Sequence, residues 1–232
     1  MKKIFTLIAI AMMAVGAQAQ TISFTEVVGK GNMNGKTFGS DGFVLTCTDT
    51  STNSDGDPDP KQEIDANSQY FGTASNYTNY THRLKTGGKS SSKNALSLTI
   101  PSAGTLKIAV RSASSSATDR NLLLKQEGVE IFNQIIKENE ATDYETTEID
   151  GESKKVFPIV SVEVAAGTVD ITYPKSSLNF YAFIFEGSTP TGIETVKAVE
   201  NENAPMYNLA GQQVDENYKG VVVKNGKKFI NK

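Results

Sequence analysis

Between residues 21 and 187 the chain repeats one unit, a short segment in which apolar and polar residues alternate, closed by Gly, Ser, Asn or Asp. A period of two is what a half-buried strand presents, because successive side chains point to opposite faces of a sheet. The clearest case is Leu96, Leu98 and Ile100, then Leu106, Ile108 and Val110, joined by the turn Pro101-Ser102-Ala103-Gly104. These two read as a hairpin. Further strands are expected at 22–28, 42–48, 120–125, 129–135, 155–164, 168–173 and 179–186, although 129–136 also fits a helical turn. No long amphipathic helix competes with them. So dense a run of short strands predicts an all-β chain, an antiparallel two-sheet sandwich or jelly roll, followed by a small C-terminal β-hairpin module.

The ends of the chain read differently from its middle. Lys2 and Lys3 precede an apolar run from Ile4 to Val15, and Ala17-Gln18-Ala19 supplies a small-x-small cleavage pattern. This reads as a signal peptide over 1–19, too short for a membrane span of about 20 apolar residues. The expectation is a secreted or cell-surface protein with no membrane span and a sandwich domain over 20–187. A polar stretch over 188–205 reads as a linker, and 206–232 as a β module in which Asn225-Gly226 marks a tight hairpin turn. Some 27 residues bury little surface, so the module is expected to dock on, or be recognised by, another protein.

Charge and sulfur narrow the function classes. Without Lys2 and Lys3, the 23 basic residues fall to 21 against 26 acidic ones, a net charge of −5 that argues against nucleic acid. Cys47 is the single cysteine, so no internal disulfide forms, and alternation places it beside Phe43 and Leu45 as a buried, inert thiol.

Four motifs bear on chemistry. Gly87-Gly88-Lys89-Ser90 imitates the end of a phosphate-binding loop, but the glycine required five positions before Gly88 is Arg83. Gly87-Gly88 is instead expected to end a strand in a positive-φ turn, with Arg83 and Lys85 on one side of that strand. His82 is the one histidine and lacks the partners for zinc or a catalytic triad, so it reads as a surface or strand-edge residue. In Ser51-Thr52-Asn53-Ser54-Asp55-Gly56-Asp57-Pro58-Asp59 the carboxylates of Asp55, Asp57 and Asp59 alternate as in calcium loops, but position twelve is Gln62 and two prolines intrude. The segment reads as a solvated acidic turn or a weak calcium site; no other cofactor is expected. The acidic run from Glu138 to Glu152 also reads as solvated.

Tyr70, Phe71, Tyr77 and Tyr80, with Arg83, lie in a hydrophilic stretch read as loop. Rings beside amide and guanidinium donors suit the apolar faces and hydroxyls of sugars; the competing reading is that two of them plug the end of the sandwich. If Arg83 and Lys85 line the same face, they could pair with the carboxylates of acidic sugars; the alternative is edge-strand charges that discourage aggregation.

Two stretches resemble known modules. His82-Arg83-Leu84-Lys85-Thr86-Gly87-Gly88, with 96–100, 106–114, Asp119-Arg120, Leu122, 166–171 and 177–183, resembles a β-sandwich module appended to secreted pectate lyases and pectinesterases of Bacteroidota. The resemblance implies a non-catalytic, carbohydrate-binding-like domain whose ligand is a polysaccharide, and it adds Arg120 to the ligand-binding candidates. Tyr207 to Val214, with 219–223 and 225–228, looks like the sorting modules of the type IX secretion system. That implies secretion machinery or a surface protein as partner. The competing function classes are a structural or adhesive surface protein and a polysaccharide hydrolase or lyase.

Overall fold

The computed structural model describes residues 19–188, 205–224 and 227–231; the signal-peptide reading, most of the linker and the Asn225-Gly226 turn lie outside these. The chain divides into two compact units, residues 1–189 and 190–232.

The strands of the first unit are β1 (Gln20–Ser23), β2 (Thr37–Ser40), β3 (Phe43–Asp49), β4 (Glu63–Thr73), β5 (Asn76–Lys85), β6 (Asn94–Ile100) and β7 (Gly104–Ser112). They continue with β8 (Asn121–Gln126), β9 (Val129–Ile135), β10 (Glu145–Ile149), β11 (Glu152–Phe157), β12 (Val160–Val164), β13 (Gly167–Thr172) and β14 (Leu178–Gly187), and one 3-10 turn lies at Ala141–Asp143. The large sheet has the order β10-β11-β4-β5-β14-β7-β12, with β1 also on β14; the small sheet runs β2-β3-β6-β13-β8-β9. Both are antiparallel except where β11 runs parallel to β4. This is the two-sheet β sandwich expected from the alternation.

Burial follows that alternation. In β3 every second residue from Phe43 to Asp49 is buried, and in β6 Leu96, Leu98 and Ile100 turn inward. They meet Leu106, Ile108, Phe180, Phe183 and Phe185 of the large sheet in one core. Cys47 lies in that core with no exposure, and burial, with the Asp49 charge, pushes its thiol up to about 12. β14 is buried on both faces, which is why it reads as an unbroken apolar run.

Three stretches differ from the sequence reading. The expected strand at 22–28 stops at Ser23, and Val28 makes only an isolated bridge to Ile64. The segment at 155–164 is two strands broken at Pro158, whose missing N–H cannot join a ladder: β11 pairs β4, while β12 pairs β7 at the far edge. The polar stretch holding the tyrosines is no loop but the long hairpin β4–β5, which the reading missed because few of its side chains reach a core and a bulge between Ala66 and Gln69 breaks the period.

Of the several places where the chain crosses between the sheets, three, from β3 to β4, β5 to β6 and β13 to β14, are tied by one buried polar network. Asp49 Oδ2 accepts the backbone N–H groups of Lys61 and Gln62 at 2.8 and 2.7 Å. The Gln62 amide donates to the carbonyls of Thr48 and Ala95 and to Asn94 Oδ1. Asn94 in turn donates to the carbonyls of Thr86 and Lys89, and Tyr173 donates its hydroxyl to Asn94 Oδ1 at 3.0 Å. Thr86 Oγ1 accepts the Leu178 N–H and donates to the Leu178 carbonyl.

Gly87 sits inside this knot at φ +59°, where an added Cβ would lie 2.2 Å from the Lys61 carbonyl oxygen. The Gly-Gly-Lys-Ser stretch is therefore a sheet-to-sheet crossing, not a phosphate cradle.

The second unit is a four-stranded sheet of order β16-β15-β17-β18, from β15 (Met206–Asn208), β16 (Gln213–Val214), β17 (Gly220–Lys224) and β18 (Lys227–Asn231). Val222 is its one buried hydrophobic residue among those described.

Gly87→Ala combines a left-handed backbone with a collision against main chain and should cost about 2 kcal/mol or more. Urea denaturation reads this directly; an unchanged midpoint would contradict the tight crossing.

Candidate functional site

The bulge in β4 divides the β4–β5 hairpin into a base and a tip. At the base, Glu63 stands opposite Lys85 and Asp65 opposite Arg83. Arg83 grips Asp65 with two nitrogens, Nε to Oδ1 at 2.8 Å and Nη2 to Oδ2 at 3.2 Å, while Lys85 pairs with Glu63 and lies 3.4 Å from Asp65. Desolvation pushes the Asp65 carboxyl up, but the hydrogen bonds and charges of Arg83 and Lys85 outweigh it and hold the group below its ordinary value. Neither cation is an edge charge, since β5 lies between β4 and β14. Both are already compensated.

Across the sheet the same row continues. Asn179 of β14 stands between Lys85 and Arg111 of β7, and Arg111 binds Glu138 through Nε at 2.8 Å and through Nη2. Glu138 is 6% exposed, so this end of the acidic run is not solvated as the sequence reading has it. The Arg111 guanidinium also stacks on the Phe157 ring, 4.1 Å from its centroid. Beside it Tyr181 donates to Asn67 Oδ1 at 2.7 Å; burial raises its hydroxyl pKa, while the charges of Arg111 and Arg83 pull it down.

Phe71, Ala109, Phe157, Tyr181 and Ala182 form a second apolar cluster apart from the main core. Ala109 lies between the inward Ile108 and Val110, so strand alternation puts the cluster on the outer face of the large sheet.

Toward the tip, alternation along β5 puts Tyr77 and Tyr80 on opposite sides. Tyr80 packs edge-on against Phe71 at 6.0 Å and belongs to the second cluster; burial raises its hydroxyl. Tyr70 and Tyr77 meet on the other side, centroids 5.6 Å apart and rings nearly perpendicular, with Tyr77 38% exposed. Tyr70 also lines a depression of about 240 Å³ with Ser68, Gln69, Lys154 and Lys155. Lys154 pairs with Glu152. The Lys155 ammonium stands 3.8 Å over the Tyr144 ring and has no carboxylate partner among the described residues. Tyr70 and Tyr77 thus come together, Tyr80 departs, and Arg83 and Lys85 form a separate paired array.

The remaining candidates lie elsewhere. Arg120 is a flanking residue of β8, 3.8 Å from Asp119, and its carbonyl accepts the Ile136 N–H. Asp55 and Asp57 sit in a turn organised by Asn53, whose Oδ1 accepts both backbone N–H groups, and Asp59 pairs with Lys61. Gln62, the twelfth loop position, is turned inward into the buried network. Among the described residues no group of three or more His, Cys, Asp or Glu is placed to hold a metal ion. His82 lies in the interior strand β5, with Nδ1 2.9 Å from Thr81 Oγ1.

Arg111, Glu138, Phe157, Lys154 and Lys155 were absent from the sequence-level candidates. Arg111 carried one signal, a charge directly after the apolar run Ile108-Ala109-Val110.

No family model matches the chain, and no curated protein matches it. Among solved structures, one from work on the Ruminococcus flavefaciens cellulosome and its expansion in glycan recognition is similar at 15% identity, with a TM-score of 0.36, covering 74% of this chain and 95% of that one. The catalytic unit of a thermostable GH87 alpha-1,3-glucanase from Streptomyces thermodiastaticus is similar at 13% identity, with a TM-score of 0.32, covering 51% of this chain and 22% of that one.

The depressed Asp65 pKa sets a pH signature. The stability Asp65 contributes is full above its unfolded value and is lost as pH falls through the lower folded value. Asp65→Asn should therefore be less stable than the parent at neutral pH, with the gap closing below about pH 4. Denaturation across pH measures it; a pH-independent gap would contradict the paired array.

Proposed function

We propose that the protein is an exported, non-catalytic glycan-binding β-sandwich that takes polysaccharide at the tip of the β4–β5 hairpin. The observation that carries this reading is the Tyr70–Tyr77 pair, in which an exposed Tyr77 packs on a half-buried Tyr70 beside amide, hydroxyl and ammonium groups. Aromatic rings held by one another lose little conformational freedom on contact and cover the apolar face of a sugar ring, while Gln69, Ser68 and Asn79 of the same region offer partners to its hydroxyls. Ser68 already donates to Asn79 Oδ1 at 2.7 Å, which orients that amide.

Acidic chains are favoured over neutral ones at the tip because Lys155 has a ring, not a carboxylate, beneath it. The base of the hairpin contributes little to that preference, since Arg83 and Lys85 are neutralised by Asp65 and Glu63. A second reading, a surface protein that docks on a protein partner, draws on the C-terminal sheet. Leu209 and Ile230 are 67% and 69% exposed there, and Val221 and Phe229 are also exposed.

Titrating the full chain with polygalacturonan and with neutral glucans tests the tip. Tyr77→Ala should weaken binding about tenfold, roughly 1.4 kcal/mol, and added salt should weaken the acidic polymer more than the neutral one. Unchanged affinity in Tyr77→Ala would remove the tip as the site.

A further inference from the structure

We infer that a second carbohydrate pocket lies over the outer face of the large sheet, built to take one neutral, polyhydroxylated ring such as the terminal unit of a glycan. It shares the ligand class of the tip reading but none of its residues, so either can fail alone. The pocket has a volume of about 280 Å³, near the lower end of the roughly 300–1,000 Å³ of small-molecule sites. That is room for one ring and not for a stretch of chain.

Its wall is formed by the segment Phe157-Pro158-Ile159, facing Ile136 and the 3-10 turn Ala141–Asp143. Phe157 and Ile136, 3% and 8% exposed, form a packed apolar floor that a ring can touch only over a small area. Arg111 and Glu138 supply fixed polar groups on that surface, the guanidinium held between the Phe157 ring and the carboxylate. Because Glu138 receives both nitrogens on Oε2, it retains Oε1 to accept from a hydroxyl. Thr142 is exposed at the mouth.

Charge decides the kind of ring. Arg111 and Lys137 are matched by Glu138, Glu140 and Asp143, with Lys137 at 3.1 Å from Glu140 and 3.4 Å from Asp143. The pocket is lined by two cations, Arg111 and Lys137, and two carboxylates, Glu138 and Asp143, and Glu140 draws on Lys137 from outside it, so no positive surplus remains to attract a uronate or sulfated sugar. A neutral ring exploits the same groups as hydrogen-bond donors and acceptors whose positions are already fixed by their pairing.

Isotope-labelled full-length protein titrated with neutral methyl glycosides and, separately, with galacturonate distinguishes the outcomes. Amide resonances of 134–138, of Phe157 and of 159–161 should shift with a neutral glycoside at a Kd on the order of 1 mM. They should not shift with galacturonate. Thr142→Trp fills the mouth from an exposed position and should abolish the shifts, while Tyr77→Ala should leave them intact. Absence of shifts with every neutral glycoside would overturn the inference. Binding of galacturonate at these residues, or an unchanged titration in Thr142→Trp, would also do so.

Discussion

The sandwich depends on a buried polar knot at one end, where three chain crossings between the sheets share Asp49, Gln62, Thr86, Asn94 and Tyr173. A crossing exposes backbone groups that no ladder satisfies, and burying them unpaired costs about 1–3 kcal/mol each. Here side chains take the place of the ladder: a carboxylate, two amides and two hydroxyls form a network that satisfies the Lys61, Gln62 and Leu178 N–H groups and the Thr86 carbonyl, and it adds a further bond to the Thr48 and Ala95 carbonyls of the β3–β6 ladder. The apolar core drives the sheets together, but hydrophobic burial is not directional. The knot fixes where the chain passes from one sheet to the other.

Its consequences reach the outer face. With β5 pinned at Thr86, its base pairs β14 only at Leu84 and Lys85, and β1 takes over on β14 from Ala182 to Phe185. Beyond Leu84 the β4–β5 hairpin no longer pairs with β14, while β4 still pairs with β11 at Tyr70 and Phe71. The hairpin carries Phe71 and Tyr80 into the second cluster and leaves Tyr70 and Tyr77 on the other side. The crossing of Phe157-Pro158-Ile159 completes that cluster and walls the Arg111–Glu138 pocket. The outer aromatic cluster and the Tyr70–Tyr77 pair thus owe their placement to the same hairpin.

Legibility in the sequence tracked the one-sided burial of each strand. β3 and β6 are readable because a single face meets the core and every second residue is apolar, and β7 because Leu106, Ile108 and Val110 keep that period although Ala109 is buried on the outer face. β14 was readable as a strand, but its burial on both faces hid the division between Phe180, which faces the main core, and Tyr181, which faces the second cluster. The end of β5 at Arg83 and Lys85 is legible as strand, but β4 and the rest of β5 are not, because Ile64, Phe71 and Leu84 are their only fully buried hydrophobic residues and the bulge shifts the period between them. Pairings such as Arg111 with Glu138, or Tyr181 with Asn67, join residues far apart in the chain and carry no local pattern. The tyrosines stood out as aromatic in a polar stretch; which two would meet depends on strand alternation about a hairpin the sequence did not announce.

Amide hydrogen exchange on the native protein tests the knot most directly. The N–H groups of Lys61, Gln62 and Leu178 lie outside or at the ends of strands, yet each donates to a side-chain oxygen of the network. They should exchange as slowly as core-strand amides such as Leu98 and Val169, opening only with the whole sandwich. Exchange at the rate of ordinary loop amides would show that the crossings are not held together, and the account of the fold would fail with them.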